Sequence, residues 1–322
     1  MKFIKDKRGI QMSFAWLFAI IVGAFVLFLA VFFAIRFVDI GDYQSNTETA
    51  KRIDVLLNPL QTSFEDGRVS KLSLPAETRI YNDCSLEGSF GLQSISISQK
   101  SFNKWPSPGA RTNFENKYIF SSDIEEGKNF YVFSKSFDYP FKISGVIYLI
   151  STEEDYCFKN SPEEIRNELL GLKTGGSLNN IYLESCPDSS VNVCFDVEEN
   201  CDVQVENTCD VNCENDYEKG IVKRRRESIK YDTEALMYAA IFSDKETYEC
   251  QTKRLFKRAE NLAKVYYDQS QFISTKECNT GMEDELLLYE TAAKNFNGDF
   301  SLIEIISNEM DEKNIGVCKL WE

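Results

Sequence analysis

The chain has 322 residues, 36 basic against 51 acidic, and a net charge of −15. An anionic surface of this kind repels nucleic acid, so no nucleic-acid partner is expected. The chain contains no histidine, which excludes Ser-His-Asp and Cys-His catalysis, HExxH zinc peptidases and every histidine-ligated metal site, while leaving carboxylates and lysine for acid–base work.

Residues 14–35, FAWLFAIIVGAFVLFLAVFFAI, carry no charge. At 1.5 Å per residue they extend about 33 Å, enough to cross a hydrocarbon core of roughly 30 Å, and a transmembrane helix is predicted over 14–38. The flank 1–13 holds Lys2, Lys5, Lys7 and Arg8 against the single Asp6. Basic residues stay in the cytoplasm, so the expectation is a single-pass cell-membrane protein with its N-terminus inside and the bulk of the chain extracytoplasmic. A secretory signal has a shorter apolar core and a small-residue cleavage site, whereas this run ends in Ala34-Ile35-Arg36-Phe37-Val38; a retained anchor is expected.

The junction Lys7-Arg8-Gly9-Ile10-Gln11-Met12-Ser13-Phe14 places a basic pair and a glycine directly ahead of the helix. It resembles the class III signal peptide of archaeal type IV pilin-like proteins. The resemblance covers about 30 residues and implies cleavage after Gly9 by a membrane peptidase. Phe14 stands where that family usually carries the Glu that pairs with a neighbouring subunit's N-terminus. The remainder is similar to membrane proteins of small-genome archaea, a likeness that implies no activity.

Beyond the membrane the fold class expected is α+β, in three parts. Residues 39–178 read as an antiparallel-sheet α+β domain. Its polar-then-amphipathic helix, 45–58, is followed by strand-like runs at 69–81, 92–98, 116–122, 129–137 and 141–151, with alternation such as Ser94, Ser96 against Ile95, Ile97 predicting one buried face. Ser161-Pro162-Glu163-Glu164 opens a short helix ending near Gly171.

Residues 179–231 read as an acidic, cysteine-rich β segment. Within 186–218 stand five cysteines and ten carboxylates without a lysine or arginine, and then Lys223-Arg224-Arg225-Arg226 follows. The basic run is expected to lie against the protein's own acidic loop. Residues 232–322 read as a helical bundle, with capping boxes at Ser243–Glu246, Thr280–Glu283 and Ser301–Glu304.

All ten cysteines lie beyond the membrane span, as a disulfide framework requires. A zinc or iron–sulfur centre needs close paired cysteines, and only Cys209 and Cys213 are so spaced. The expected bridges are Cys278–Cys318 and Cys84–Cys157. Parity then sends Cys250 to one of Cys186, Cys194, Cys201, Cys209 or Cys213. No cofactor is expected; calcium is the one candidate, on ligand type alone, at Asp196, Glu198, Glu199 and Asn200.

Two functional classes fit. The first is a membrane-anchored, disulfide-stapled envelope protein with a binding or structural role, its partners being the lipid bilayer and an envelope protein or glycan; a pilin-like assembly component is its narrower form. The alternative is a tethered carboxylate-dependent hydrolase acting on cell-surface glycans. Glu153-Glu154 and Asp284-Glu285 are adjacent acidic pairs, and Phe102, Trp105, Phe130, Tyr131 and Tyr139 supply aromatic surface, but no residue is singled out as catalytic. A cleft with two carboxylates of raised pKa would separate the classes.

Overall fold

The computed structural model describes residues 14–61, 69–176, 178–183, 185–195, 201–208, 216–224, 227–315 and 318–321. Gly9, residues 196–200 with the calcium candidates, Cys209, Cys213, Arg225 and Arg226 lie outside them.

Helix α1 (Phe14–Gln61) is a single element of 48 residues. The apolar segment and the amphipathic segment expected at 45–58 are one continuous helix, because nothing between them breaks the backbone pattern. Phe14–Phe37 is long and apolar enough to cross a membrane and none of its hydrophobic window is buried within the protein. Further along, Asn46, Ala50, Ile53 and Leu57 are buried at helical spacing.

These residues sit in the hollow of a curled six-stranded sheet. Its strands are β1 (Val69–Ser85), β2 (Leu92–Gln99), β3 (Thr112–Phe114), β4 (Tyr118–Phe120), β5 (Ile124–Asp138) and β6 (Lys142–Ser151), in the order β3-β2-β1-β5-β6-β4. Strands β3 and β4 occupy opposite edges although only residues 115–117 separate them, so the sheet must bend until its edges approach. Buried side chains close the gap. Gln93 accepts from the Ile119 N–H at 2.9 Å through Oε1 and donates to Asn82 Oδ1 at 2.6 Å, while Asn82 donates to Ser121 Oγ at 2.8 Å. The inner face takes residues from every strand, among them Ile80, Ile95, Phe114, Ile119, Val132 and Leu149, against Ile53 and Leu57 of α1.

The outer face is buried too over β4, β5 and β6, but it is open along β1, where Lys71, Ser73 and Glu77 are exposed. Tyr131, Phe133, Val146 and Tyr148 alternate with the inner residues and belong to the main core. The expectation of one buried face holds along β1 and fails in β6, which reads as a near-continuous apolar run because it is covered on both sides. Nor is the sheet purely antiparallel: β4 and β6 run parallel.

The second sheet, order β12-β11-β10-β9-β7-β8, is built from β7 (Tyr156–Lys159), β8 (Ile181–Tyr182), β9 (Val191–Phe195), β10 (Val203–Asn207), β11 (Gly220–Arg224) and β12 (Glu227–Tyr231). It is also mixed; β10 pairs parallel with β9 and antiparallel with β11. Between β7 and β8 lies α2 (Glu163–Gly176), which opens at the expected place and outruns Gly171 by a turn. The boundary placed at 178 cuts between β7 and β8, which are paired, so it is not a domain boundary.

The boundary at 231 fails for a similar reason. Helix α3 (Glu234–Phe242) buries every residue from Ala235 to Phe242, the mark of a helix with structure on all sides. Phe242 packs edge-on to Phe133 of the first sheet at 5.8 Å and to Tyr156 of the second at 5.0 Å. The Tyr148 hydroxyl donates to the Ala235 carbonyl at 2.8 Å. Helix α3 is thus the central layer between the two sheets. Helices α4 (Lys245–Ser274), α5 (Glu283–Lys294) and α6 (Ser301–Lys313) pack in sequence, and α4 also lies along β1, β4 and β6. One core cluster runs from Tyr118 to Leu320.

The helix starts fall within two residues of the expected capping boxes, but the caps differ. Ser243 closes α3 by donating to the Ala239 carbonyl at 2.6 Å. Asp244 precedes α4 and its carboxylate accepts from the Asp123 N–H at 2.7 Å. Thr280 bonds Ser270, and Asp299 rather than Ser301 accepts at the start of α6.

The described cysteines form Cys84–Cys250, Cys157–Cys186, Cys194–Cys201 and Cys278–Cys318. The last is the expected bridge, at the shared end of α4 and α6. Cys84 does not pair with Cys157: Cys84 ends β1, where the first turns of α4 lie against the sheet with a Cα–Cα distance of 6.1 Å to Cys250, whereas Cys157 is in the second sheet. Cys250 consequently takes no cysteine of the acidic repeat.

Candidate functional site

Where the two sheets meet the α3–α4 junction, they leave a trough of about 570 Å³ lined by Ser122, Glu154, Tyr156, Val191, Asp202, Val203, Arg224, Glu227 and Asp244. Arg224 ends β11, and its guanidinium donates to the Ile241 and Ser243 carbonyls at the C-terminus of α3, where the helix dipole favours a cation. Tyr156 donates to Glu154 at 2.8 Å. An adjoining depression, sharing Ser122, Glu154 and Val191, is lined by Glu125, Glu126, Glu153 and Asp155. Glu125 is only 4 % exposed, and burial pushes its carboxyl up to about 7 against the opposing pull of the Ser151 and Ser122 N–H groups.

A second, larger cleft of about 1100 Å³ opens where the N-termini of α2 and α3 approach, between Glu163, Glu164, Asp216, Glu218, Asp232 and Glu234. Asp232 is buried and accepts from the Tyr139 hydroxyl, with Lys219 Nζ at 3.7 Å. Burial lifts its carboxyl to about 6. Beside the cleft, Lys135 of β5 bridges Glu168 of α2 at 2.6 Å and Glu234 of α3 at 2.8 Å, and Tyr238 donates to Glu168 at 3.0 Å. Burial and the hydrogen bond with Glu234 raise Glu168 to about 7.

A paired-carboxylate hydrolase needs two carboxylates facing one another across a cleft with separated pKa values. The depression beside the trough is lined by one carboxyl raised by burial, Glu125, and the larger cleft by another, Asp232, and each is committed inward. Both Glu125 oxygens accept backbone N–H groups, Ser122 at 3.2 Å and Ser151 at 3.0 Å; Asp232 is held by Tyr139 and Lys219. These are the bonds of structural joints.

The residues singled out from the sequence scatter. Glu154 lines the trough and Glu153 only the depression beside it, whereas Glu285 pairs with Lys313 at 2.5 Å on α6. Phe130, Tyr131 and Tyr139 are core residues. Trp105 lies under the Arg79 guanidinium at 4.2 Å, and Phe102 is 88 % exposed. Lys223 pairs with Glu206 of the neighbouring strand at 2.6 Å, the expected contact of the basic run with the acidic segment. Among the described residues no group of three or more Cys, Asp or Glu is arranged to hold a metal.

Sequence reasoning missed Arg254. Its side chain is completely buried in α4 and donates to the carbonyls of Phe90, Phe114, Glu115 and Lys117 and to Gln251. It clamps the segment that joins the two sheet edges, and its cation lies 4.9 Å from the centre of the Tyr118 ring. An arginine in a helix pattern gives no signal of this kind, since such residues ordinarily face water.

No protein family, curated protein or solved structure matches this chain.

Proposed function

We propose that the protein is a membrane-anchored, disulfide-stapled extracytoplasmic envelope protein with a binding or structural role. The observation that carries the reading is the continuity of α1: an exposed apolar helix of 24 residues, Phe14–Phe37, runs without a break into residues sheathed by the first sheet. A rigid helix entering the core transmits orientation from bilayer to ectodomain, which a flexible tether does not. The four disulfides among the described residues suit an oxidising compartment outside the cytoplasm.

The narrower form, a pilin-like assembly component, draws support from the same helix and from the Lys7-Arg8-Gly9 junction. Phe14 in place of Glu bears on whether it polymerises. Accessibility labelling in intact cells tests the topology: an engineered site at the exposed position 128 should react from outside and one near residue 3 should not. The reverse pattern overturns the reading. N-terminal sequencing tests the narrower form, with Ile10 expected as the first residue after processing and Met1 or Lys2 the contrary result.

A further inference from the structure

The exposed apolar face of α1 does not stop at Phe37. Ile40 and Tyr43, the next positions along the helix, are 54 % and 48 % exposed, and Tyr at this height is the residue type that settles at the headgroup level. Two residues later the ectodomain begins. Ser45 donates to Gln99 Oε1 at 3.5 Å, and Asn46 Oδ1 accepts the Gln99 N–H at 3.0 Å. Thr47 Oγ1 accepts the Ala110 N–H at 2.9 Å. Both feet of the excursion 100–109 therefore stand on α1 at 45–47, about 3 Å of helix rise past Tyr43.

The excursion is built to hold an aromatic outward. Ser101 and Lys104 exchange two backbone hydrogen bonds of 2.9 Å, closing a two-residue turn with Phe102 at φ 47° and Asn103 at φ 59°. Two successive positive φ values define the primed hairpin turn, usually filled by Asn and Gly; Phe is sterically unfavourable there. The side chain gains no packing in return, being 88 % exposed. Trp105 behind it is pinned by Arg79 and by Lys100 Nζ, 5.6 Å from the ring centre, and Lys104 beside the tip is exposed.

We propose that this hairpin is a second membrane contact, with Phe102 entering the interfacial region of the same bilayer that α1 spans and Lys104 meeting lipid phosphates. The proposal rests on the anchor reading and extends it: two points of attachment, α1 and the hairpin, set the rotation of the ectodomain about the helix axis as well as its height. A span of three residues from Gln99 to Phe102 reaches about 10 Å, which covers the distance from the helix at Ser45 to the headgroup layer around Tyr43.

The test uses the full-length protein in nanodiscs of phosphatidylcholine, unlabelled or brominated on the acyl chains near the headgroup. Phe102→Trp adds one emitter at a solvent-exposed position, and the emission lost in Trp16→Phe reports the span. The emission added by Phe102→Trp should be blue-shifted and lost in brominated discs, alongside quenching of the Trp16 component. Quenching of the Trp16 component with the added emission untouched overturns the hairpin contact and leaves the anchor standing. If neither is quenched, the anchor reading falls and takes the hairpin with it. Added emission that shifts only in discs loaded with two or more chains identifies a contact between copies, and also overturns the proposal.

Discussion

Arg254 crosses Gly91 so closely that a β-carbon on residue 91 would stand 2.7 Å from its Cγ and 2.8 Å from the Ser85 carbonyl oxygen. Gly91 also has φ +65°, where an L side chain is strained. A buried helix arginine and a loop glycine are thus one device, holding α4 onto the segment that closes the first sheet. Gly91→Ala should destabilise by about 2 kcal/mol or more, from strain plus displacement of the clamp. Arg254→Met should cost about 3–5 kcal/mol by leaving backbone carbonyls without donors, and Arg254→Lys should not rescue it, since an ammonium lacks the planar fork. Denaturant unfolding of the three variants checks this; a midpoint unchanged in Arg254→Met would show the clamp to be idle.

Non-reducing peptide mapping should return Cys84–Cys250 and Cys157–Cys186 as separate linkages, with no Cys84–Cys157 peptide. Cys84→Ser with Cys250→Ser removes a bridge that closes a chain of 166 residues and should lower stability by roughly 2–5 kcal/mol. A mapped link from Cys250 into residues 186–213 would contradict the position of α4 against β1.

Acidity should favour the fold. Glu125 and Glu168 have folded pKa values of about 7, above the ordinary carboxyl value, so the folded state holds their protons more tightly than the unfolded chain does; Glu234, lowered despite burial by the hydrogen bond it shares with Glu168, offsets part of the Glu168 share. Their contribution is complete below the unfolded pKa and is lost as pH rises through about 7. The melting temperature should therefore fall between pH 5 and pH 7.5 at constant ionic strength. Glu125→Gln, which cannot ionise, should flatten part of that slope. A melting temperature that rises over the same interval would show that both carboxylates are held ionised by their donors.

Phe242→Ala should unfold both sheets together. The ring touches Phe133 and Tyr148 on one side and Tyr156 and Phe158 on the other, so truncation opens a cavity in the shared core at a cost of about 3–5 kcal/mol. One cooperative transition is expected, seen by circular dichroism and by proteolysis at residues 225–232 alike. Two transitions would restore an independent helical bundle.

Whatever depends on local pattern was legible from the amino acids. An uncharged run long enough to cross a bilayer, the amphipathic spacing after it, most strands of the first sheet and the starts of the C-terminal helices follow from backbone geometry and neighbouring side chains. The Cys278–Cys318 bridge followed too, because helix lengths alone bring those ends together. Tertiary structure decided what depends on distant partners. Ser243 and Asp244 look like the start of a capping box, yet one closes α3 and the other holds Asp123, since a nearby carbonyl or N–H competes for each oxygen. The run 235–242 is apolar on every side, and only the placement of two sheets around it explains why it is the central layer rather than a member of a bundle. Cys84 found Cys250 across 166 positions because α4 lies on β1, a contact that no spacing in the chain encodes. Arg254 is the extreme case: its charge reads as solvent-facing until the sheet edges curl together and present four carbonyls that only a buried, planar, five-donor group can satisfy.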